Sequence, residues 1–284
     1  MPNETLLART RRMLKTYGLQ ARKSLGQHFL VDEAAVKQII KAAELTVKDT
    51  VVEVGPGLGI MTGELAKGVG RVIAIELDSQ LADILTEIYT NSVNVEIIQG
   101  DVLLTDPSSL VGVNGTRDYK VVANLPYYIT SAVIRHFLEA QIKPERLVLM
   151  TQKEVAEQIT AQPGAMSLLS VSVQVYGKPQ IVDIVPADSF FPKPNVDSAI
   201  LRIDVYPQVQ GDLHDMEGFF TIVKAGFSAN RKQIVNPLSH QLARDRANII
   251  SILEKAGIDF HRRAETLAVG EWKRLFETFE SEDG

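Results

Sequence analysis

Five short runs of aliphatic and β-branched residues recur along the first half of the chain, at 51–54, 72–75, 95–98, 120–123 and 147–150. Between most of them the apolar positions return at helical spacing, over 60–67, 81–89, 130–140 and 153–160. Strand and helix in alternation mean βαβ units, and hence a parallel sheet with helices on both faces. A lead-in helix is predicted over 32–45, where Ala35, Val36, Ile39, Ile40 and Ala43 share one face and Asp32 stands at the N-cap. Two further strands, 181–185 and 198–205, are close enough together for a hairpin, which gives about seven strands with an antiparallel pair at one edge. Beyond Tyr206 and Pro207 only helical spacing remains. An α/β domain over 1–207 and a small all-α domain over 208–284 are therefore expected, with Trp272, Leu275, Phe276 and Phe279 in the core of the second.

A chain of 284 residues is longer than one small core needs, which agrees with that division. Hydrophobic residues make up 45% and charged residues 23%, with a mean hydropathy of +0.02, as in an ordinary globular protein. The absence of cysteine excludes disulfides, thiolate nucleophiles and cysteine-ligated zinc. No apolar run has the length of a membrane span and the N-terminus has no apolar leader, so a cytoplasmic protein is expected. A net charge of −5 argues against a nucleic-acid partner only if the charge is evenly spread. It is not: Arg9, Arg11, Arg12, Lys15, Arg22 and Lys23 face a single acid, Glu4, in the first thirty residues. Such a segment is either a solvated basic tail or a source of phosphate contacts.

In a sheet of this kind the ligand lies beyond the carboxyl ends of the strands. The first strand runs into Gly55, Gly57 and Gly59, whose missing Cβ atoms allow a sharp turn and a close backbone approach. The dinucleotide fingerprint G-x-G-x-x-G needs a small residue where Ile60 stands. G-x-G-x-G is instead the form shared by methyltransferases, whose cofactor has no pyrophosphate to seat. The second strand ends at Glu76, where a carboxylate can accept both hydroxyls of a ribose. The third is followed by Asp101, a candidate acceptor for an adenine amino group. Taken singly, either acid is equally a solvated loop residue.

The fourth strand end carries Asn124, Leu125, Pro126 and Tyr127. This quartet resembles the motif of amino-methyltransferases. An adenine N6 amine is a poor nucleophile because its lone pair is delocalised into the ring. Two acceptors, the Asn124 amide oxygen and the Leu125 carbonyl, can hold its N–H bonds so that the nitrogen turns more tetrahedral during attack. Proline fixes the turn that aims the carbonyl, and Tyr127 can stack on an extruded base. In isolation the same four residues read as a turn with a buried tyrosine.

Together with the segments 23–30, 54–59, 152–156, 189–198 and 227–232, these motifs resemble, over nearly the whole chain, the ribosomal RNA adenine dimethyltransferases of the small-subunit (16S) type. The resemblance implies a Rossmann-like class I methyltransferase domain binding S-adenosyl-L-methionine, with His28, Leu30, Gly55, Glu76, Asp101 and Asn124 lining its pocket and no metal. It implies that Phe190 joins Tyr127 around the target base, and that two adjacent adenosines in the 3'-terminal hairpin loop of 16S rRNA each receive two methyls. Phe191 is an alternative to Phe190, since neighbours on a strand face opposite ways, and one of the two is expected to face the pocket. Arg11, Arg12, Arg22, Lys23, Arg231 and Lys232 are candidate RNA contacts, and a monomer acting on the small ribosomal subunit is expected. Position 28 is often asparagine in the family, and residues 163–169 lack a lysine and a tyrosine that relatives commonly carry, which puts RNA contact from that loop in doubt. Other readings are a large-subunit rRNA methyltransferase of the drug-resistance type, a non-catalytic ribosome assembly factor and, least, a nicotinamide dehydrogenase.

Overall fold

A computed structural model describes residues 4–22, 25–111, 119–208 and 213–283. Lys23, one of the candidate RNA contacts, lies outside them. The chain divides into two compact units, residues 1–156 with 180–205, and residues 157–179 with 206–284.

The first unit opens with helix α1 (Leu6–Thr16), whose N-cap Thr5 accepts the Ala8 amide and which buries Thr10, Met13 and Leu14. The basic N-terminus is thus a helix with one packed face. A two-residue strand, β1 (Phe29–Leu30), leads to α2 (Glu33–Ala43), where Asp32 caps the amides of Ala34 and Ala35 as its position predicts. Strands β2 (Thr50–Val54), β3 (Arg71–Glu76), β4 (Val95–Gln99), β5 (Tyr119–Asn124) and β6 (Arg146–Gln152) follow, each within a residue or two of its predicted run. Between them lie α3 (Ile60–Leu65), α4 (Ser79–Tyr89), the short α5 (Pro107–Val111) and α6 (Thr130–Glu139). Helix α7 (Lys153–Ile159) comes after β6, and then α8 (Leu168–Gln174).

The seven-stranded sheet has the order β4-β3-β2-β5-β6-β9-β7, with β7 (Gly177–Val185) at the edge and β9 (Ser198–Val205) inside it. Every pair from β4 to β6 is parallel and β9 runs antiparallel to β6. The chain winds one way from β2 through β3 to β4 and the other way from β5 to β6, so the crevice where the winding reverses opens at the carboxyl ends of β2 and β5. Fully buried Val51, Val52, Ile73, Ala74, Val121, Val122, Leu147 and Val148 form the sheet core, which is why these strands read as unbroken apolar runs. A second ribbon pairs β1 with β8 (Phe190–Phe191) in antiparallel register, Phe29 opposite Phe191 and Leu30 opposite Phe190.

At the amino ends of β5 and β6, α2 ends on Glu44 in the left-handed region (φ 49°). Three cations answer its last carbonyls: Arg202 Nη1 donates to Ala42 (3.2 Å), Arg146 Nη1 to Ala43 (3.0 Å) and Lys120 Nζ to Glu44 (2.8 Å). The same cations pair with carboxylates, Lys120 with Asp49 at 3.0 Å, Arg146 with Asp204 at 2.6 Å and Glu44 at 2.9 Å, and Arg202 with Glu44 at 2.6 Å.

The second unit holds α8 with α9 (Met216–Phe227), α10 (Val235–Gln241), α11 (Arg246–Lys255) and α12 (Val269–Asp283). Trp272 is fully buried, and Gly226 makes room for it: a Cβ there would sit 2.3 Å from the indole. Residues 157–179 join this unit although they precede β9 in sequence. Gly164 and Met166 donate their amides to the Glu265 carbonyl (2.8 and 3.1 Å), and Ser167 closes a capping box with Ser170 at the start of α8. The loop at 163–169 is therefore tied to its own unit through backbone bonds. Among the described residues no helix is long and apolar enough to cross a membrane.

Candidate functional site

The carboxyl ends of β2 to β5 and the β1 ribbon enclose one cavity, lined among others by His28, Leu30, Gly55, Gly57, Glu76, Asp101, Asn124, Leu125, Pro126 and Tyr127. All three loop glycines have positive φ, +68° at Gly55, +58° at Gly57 and +71° at Gly59, so the turn itself demands them. A Cβ on Gly57 would meet the Phe29 ring at 3.3 Å. Gly59 does something else: it is not part of the cavity wall, and its bare Cα faces Leu85, which a Cβ would approach to 2.6 Å. Tyr89 donates its hydroxyl to the Gly59 carbonyl at 2.9 Å. The third glycine thus seats α4 against the loop.

Glu76 is 6% exposed and accepts two amides, Gly57 N on Oε2 (3.0 Å) and Asp78 N on Oε1 (2.9 Å). Burial pushes its carboxyl above the usual range, opposed by those N–H donors. Each oxygen keeps a second lone pair, so a pair of vicinal hydroxyls can be accepted side by side. Asp101 uses Oδ1 to cap the following 3-10 turn through Leu103 N (2.9 Å), which orients Oδ2 away from that turn.

Asn124 ends β5 with its amide orientation fixed: Nδ2 donates to the His28 carbonyl at 3.0 Å. Oδ1 is left as the acceptor at the cavity. Leu125 is 2% exposed, and Pro126 begins the 3-10 turn Tyr127–Ile129, closed by Ile129 N to Pro126 O at 3.1 Å. Tyr127 is half-buried, shares a hydrogen bond with Ser198 Oγ (2.8 Å) and lies nearly parallel to the His28 ring, 6.1 Å between centroids. Burial raises its hydroxyl pKa. His28 Nδ1 donates to the Pro192 carbonyl at 2.6 Å, since a carbonyl can only accept. Nδ1 of this ring is thus committed within the protein.

Phe190 departs from expectation. Neither it nor Phe191 lines the cavity. The register with β1 turns Phe190, 4% exposed, to the same side as Leu30, into the cluster of Val36, Met150 and Ile200. Phe191 turns the opposite way with Phe29, toward Met13, Leu14, Leu58 and Leu81, and the Arg11 guanidinium lies over its ring at 5.2 Å. The alternation of faces holds; the exposure of one face to the cavity does not.

Two cavity residues were not foreseen. Glu53 is fully buried, and neither carboxylate oxygen has a hydrogen-bonding partner among the described residues. Burial pushes its pKa up to about 8, the Glu76 charge adds to the rise, and neighbouring Thr62 opposes it. The available signal was an acid inside an otherwise apolar central strand. Tyr128, beside Tyr127, lines the cavity mouth and is 64% exposed.

The basic candidates are dispersed. Arg12 makes a two-bond pair with Glu4 (2.9 and 2.8 Å), and Arg22 reaches Asp78 at 3.1 Å. Arg231 and Lys232 are exposed in the turn after α9, within the second unit.

This arrangement has close counterparts. The family profile "Ribosomal RNA adenine dimethylase" matches residues 18–281. Ribosomal RNA small subunit methyltransferase A of Dehalococcoides mccartyi strain BAV1 is 49% identical over 276 residues, covering 95% of this chain and 92% of that protein. The protein of the same name from Moorella thermoacetica is 42% identical over 280 residues, covering 96% and 97%. Among solved structures, the 23S rRNA methyltransferase ErmE aligns with a TM-score of 0.72 at 29% identity over 89% of this chain and 99% of its own. A dimethyladenosine transferase from Plasmodium falciparum shares the fold, with a TM-score of 0.77 at 24% identity over 90% and 98%. With 264 of its 284 residues inside the profile (18 to 281 inclusive), the chain belongs to the ribosomal RNA adenine dimethylase family.

Proposed function

We propose that this protein, a cytoplasmic monomer, uses S-adenosyl-L-methionine to dimethylate the N6 amines of two adjacent adenosines in the 3'-terminal hairpin loop of 16S rRNA during small-subunit assembly. The observation that carries the reading is the amide of Asn124, whose nitrogen is committed to the His28 carbonyl so that its oxygen is the atom offered to a substrate amine. Support for the small-subunit target comes from relatives of that name at 49% and 42% identity, against 29% for the 23S enzyme.

The cavity suits the cofactor. Glu76 would take the ribose hydroxyls and Asp101 Oδ2 the adenine amino group, with the buried carboxyl of Glu53 in the wall of the same cavity. When bound, S-adenosyl-L-methionine supplies an electrophilic methyl on a sulfonium sulfur. The protein's task is then to present the nucleophile. Asn124 Oδ1 and the Leu125 carbonyl accept the two N–H bonds of the adenine amine and draw its lone pair out of ring conjugation. Tyr127, its ring backed by His28 and its hydroxyl anchored on Ser198, is the surface on which an extruded adenine stacks. Phe190 sits in the core here, so the base is assigned to Tyr127 alone.

Residues 1–156 and 180–205, the first unit, carry this chemistry. The helical segment 208–284, with Arg231 and Lys232, and the N-terminal Arg11 and Arg22 supply contacts to the ribosomal particle that weaken as salt rises. The test is incubation of purified small subunits lacking the modification with enzyme and cofactor, followed by nucleoside mass spectrometry and primer extension. Dimethyladenosine at two neighbouring positions near the 3' end is expected. Product confined to other positions of the small-subunit RNA, or none, overturns the reading.

A further inference from the structure

Large aromatic side chains at the rim of a folded domain are ordinarily turned inward, because each carries on the order of 150–250 Å² of surface that favours burial. Tyr128 is 64% exposed, yet its ring is not loose. It lies over Gly26, at φ +59°, where a Cβ would come within 3.6 Å of ring carbons Cδ1 and Cε1 and within 3.3 Å of Pro126 Cβ. Gly26 therefore lies against the Cδ1–Cε1 side of the ring, and most of the rest of the side chain is left to solvent. The 3-10 turn that carries it is closed by Ile129 N to Pro126 O, which fixes its direction relative to Tyr127. In such a turn successive side chains diverge by about 120°. Tyr127 accordingly faces inward to Ser198 and His28, while Tyr128 faces outward from the same cavity mouth.

We propose that Tyr128 is a stacking platform for the unpaired nucleotide beside the adenosine held at Asn124. The inference rests on the RNA reading above and deepens it. Extruding one adenine strips its neighbour of a stacking partner, and the neighbour is one nucleotide away from the site, as Tyr128 is one residue away from Tyr127. A backed aromatic ring accepts any base face, so it positions the strand without reading its sequence. For a substrate with two adjacent target adenosines, it holds the second while the first is methylated.

The test is single-turnover methylation of purified, unmodified small subunits with tritiated cofactor, at varied subunit concentration. Tyr128→Ala should raise the half-saturating subunit concentration about tenfold, the scale of losing one base–aromatic stack. Cofactor affinity by calorimetry should fall by clearly less than the RNA half-saturation shifts, because Tyr128 stands at the cavity mouth and apart from the Glu76 and Asp101 acceptors. Tyr128→Phe and Tyr128→Trp should keep wild-type behaviour, whereas Tyr128→Leu, which still covers Gly26, should behave like Tyr128→Ala. A Tyr128→Leu protein with wild-type half-saturation shows that the ring only fills space and overturns the proposal, as does an unchanged Tyr128→Ala. Should Tyr128→Ala fail to fold, the Phe and Leu variants decide alone. If wild type binds the cofactor but methylates no small subunit, it is the RNA reading that fails, and this inference falls with it.

Discussion

At the edge of the sheet where β2, β5 and β6 begin, Lys120, Arg146 and Arg202 each meet both a carboxylate and a carbonyl of α2. At the opposite edge, where the same strands end, Glu53 has no partner for either oxygen among the described residues and Asn124 offers Oδ1 to open space. Both edges are rich in polar groups, and they differ in whether those groups are satisfied. Buried charges with full partners hold a structure in one arrangement, whereas polar atoms kept short of partners are a standing cost that only a ligand removes. One edge fastens α2 to the sheet; the other is a place where something else has to bind.

That contrast can be attacked from both sides. The largest effect is expected at the open edge: Asn124→Ala should lower single-turnover methyl transfer by about 10²–10³-fold, the scale of losing one acceptor aimed at a transition state. Cofactor affinity should change only a few-fold, and transfer at the wild-type rate would remove Asn124 from the mechanism. At the fastened edge, Arg146→Ala should cost about 2–3 kcal/mol in chemical denaturation, less than for a wholly buried pair because Glu44 and Asp204 remain reachable by water. Cofactor affinity, measured on the folded fraction, should not move; an Arg146 variant of unaltered stability but impaired binding would erase the division between the edges.

The effect that is read as a slope and not as a loss concerns Glu53, whose folded pKa of about 8 lies above its ordinary 4.5. The folded chain then keeps a proton that the unfolded chain has released, so stability falls as pH rises through that window, by about 1.4 kcal/mol per pH unit, and levels off above it. Glu53→Gln should lack this slope between pH 5.5 and 8 in the absence of cofactor. Identical slopes in the two proteins would mean that the carboxyl is not held neutral.

The sheet was legible in the sequence because its strands are buried on both faces and read as apolar runs, and because Asp32 caps α2 where capping chemistry puts it. Helix α8 was missed: seven residues, LLSVSVQ, carry too few turns for their spacing to stand out, and the helix depends on the Ser167 and Ser170 box. The strand-end residues stand at the cavity where their position puts them, whereas what Gly59 and Phe190 pack against was not legible, because a motif records which residue is needed and not against what. Leu85 explains the glycine, and the pairing of Leu30 with Phe190 explains the buried ring. Glu53 escaped notice as part of a strand, although an acid in so apolar a run is itself an anomaly.

The roof of the cavity is held by a ribbon whose two halves are far apart in the chain. Val31 N donates to Ser189 O at 2.8 Å, Ser189 Oγ to Asp32 Oδ2 at 2.8 Å, and His28 Nδ1 to Pro192 O at 2.6 Å, a sequence separation of 164 residues. A growing polypeptide emerging from the translation machinery therefore carries the glycine loop and Asn124 long before it can shut the chamber above them. Until residues 190–192 have been made, the β1 segment lacks the strand and the carbonyl it pairs with, and the enzyme comes of age only when its synthesis is two-thirds complete.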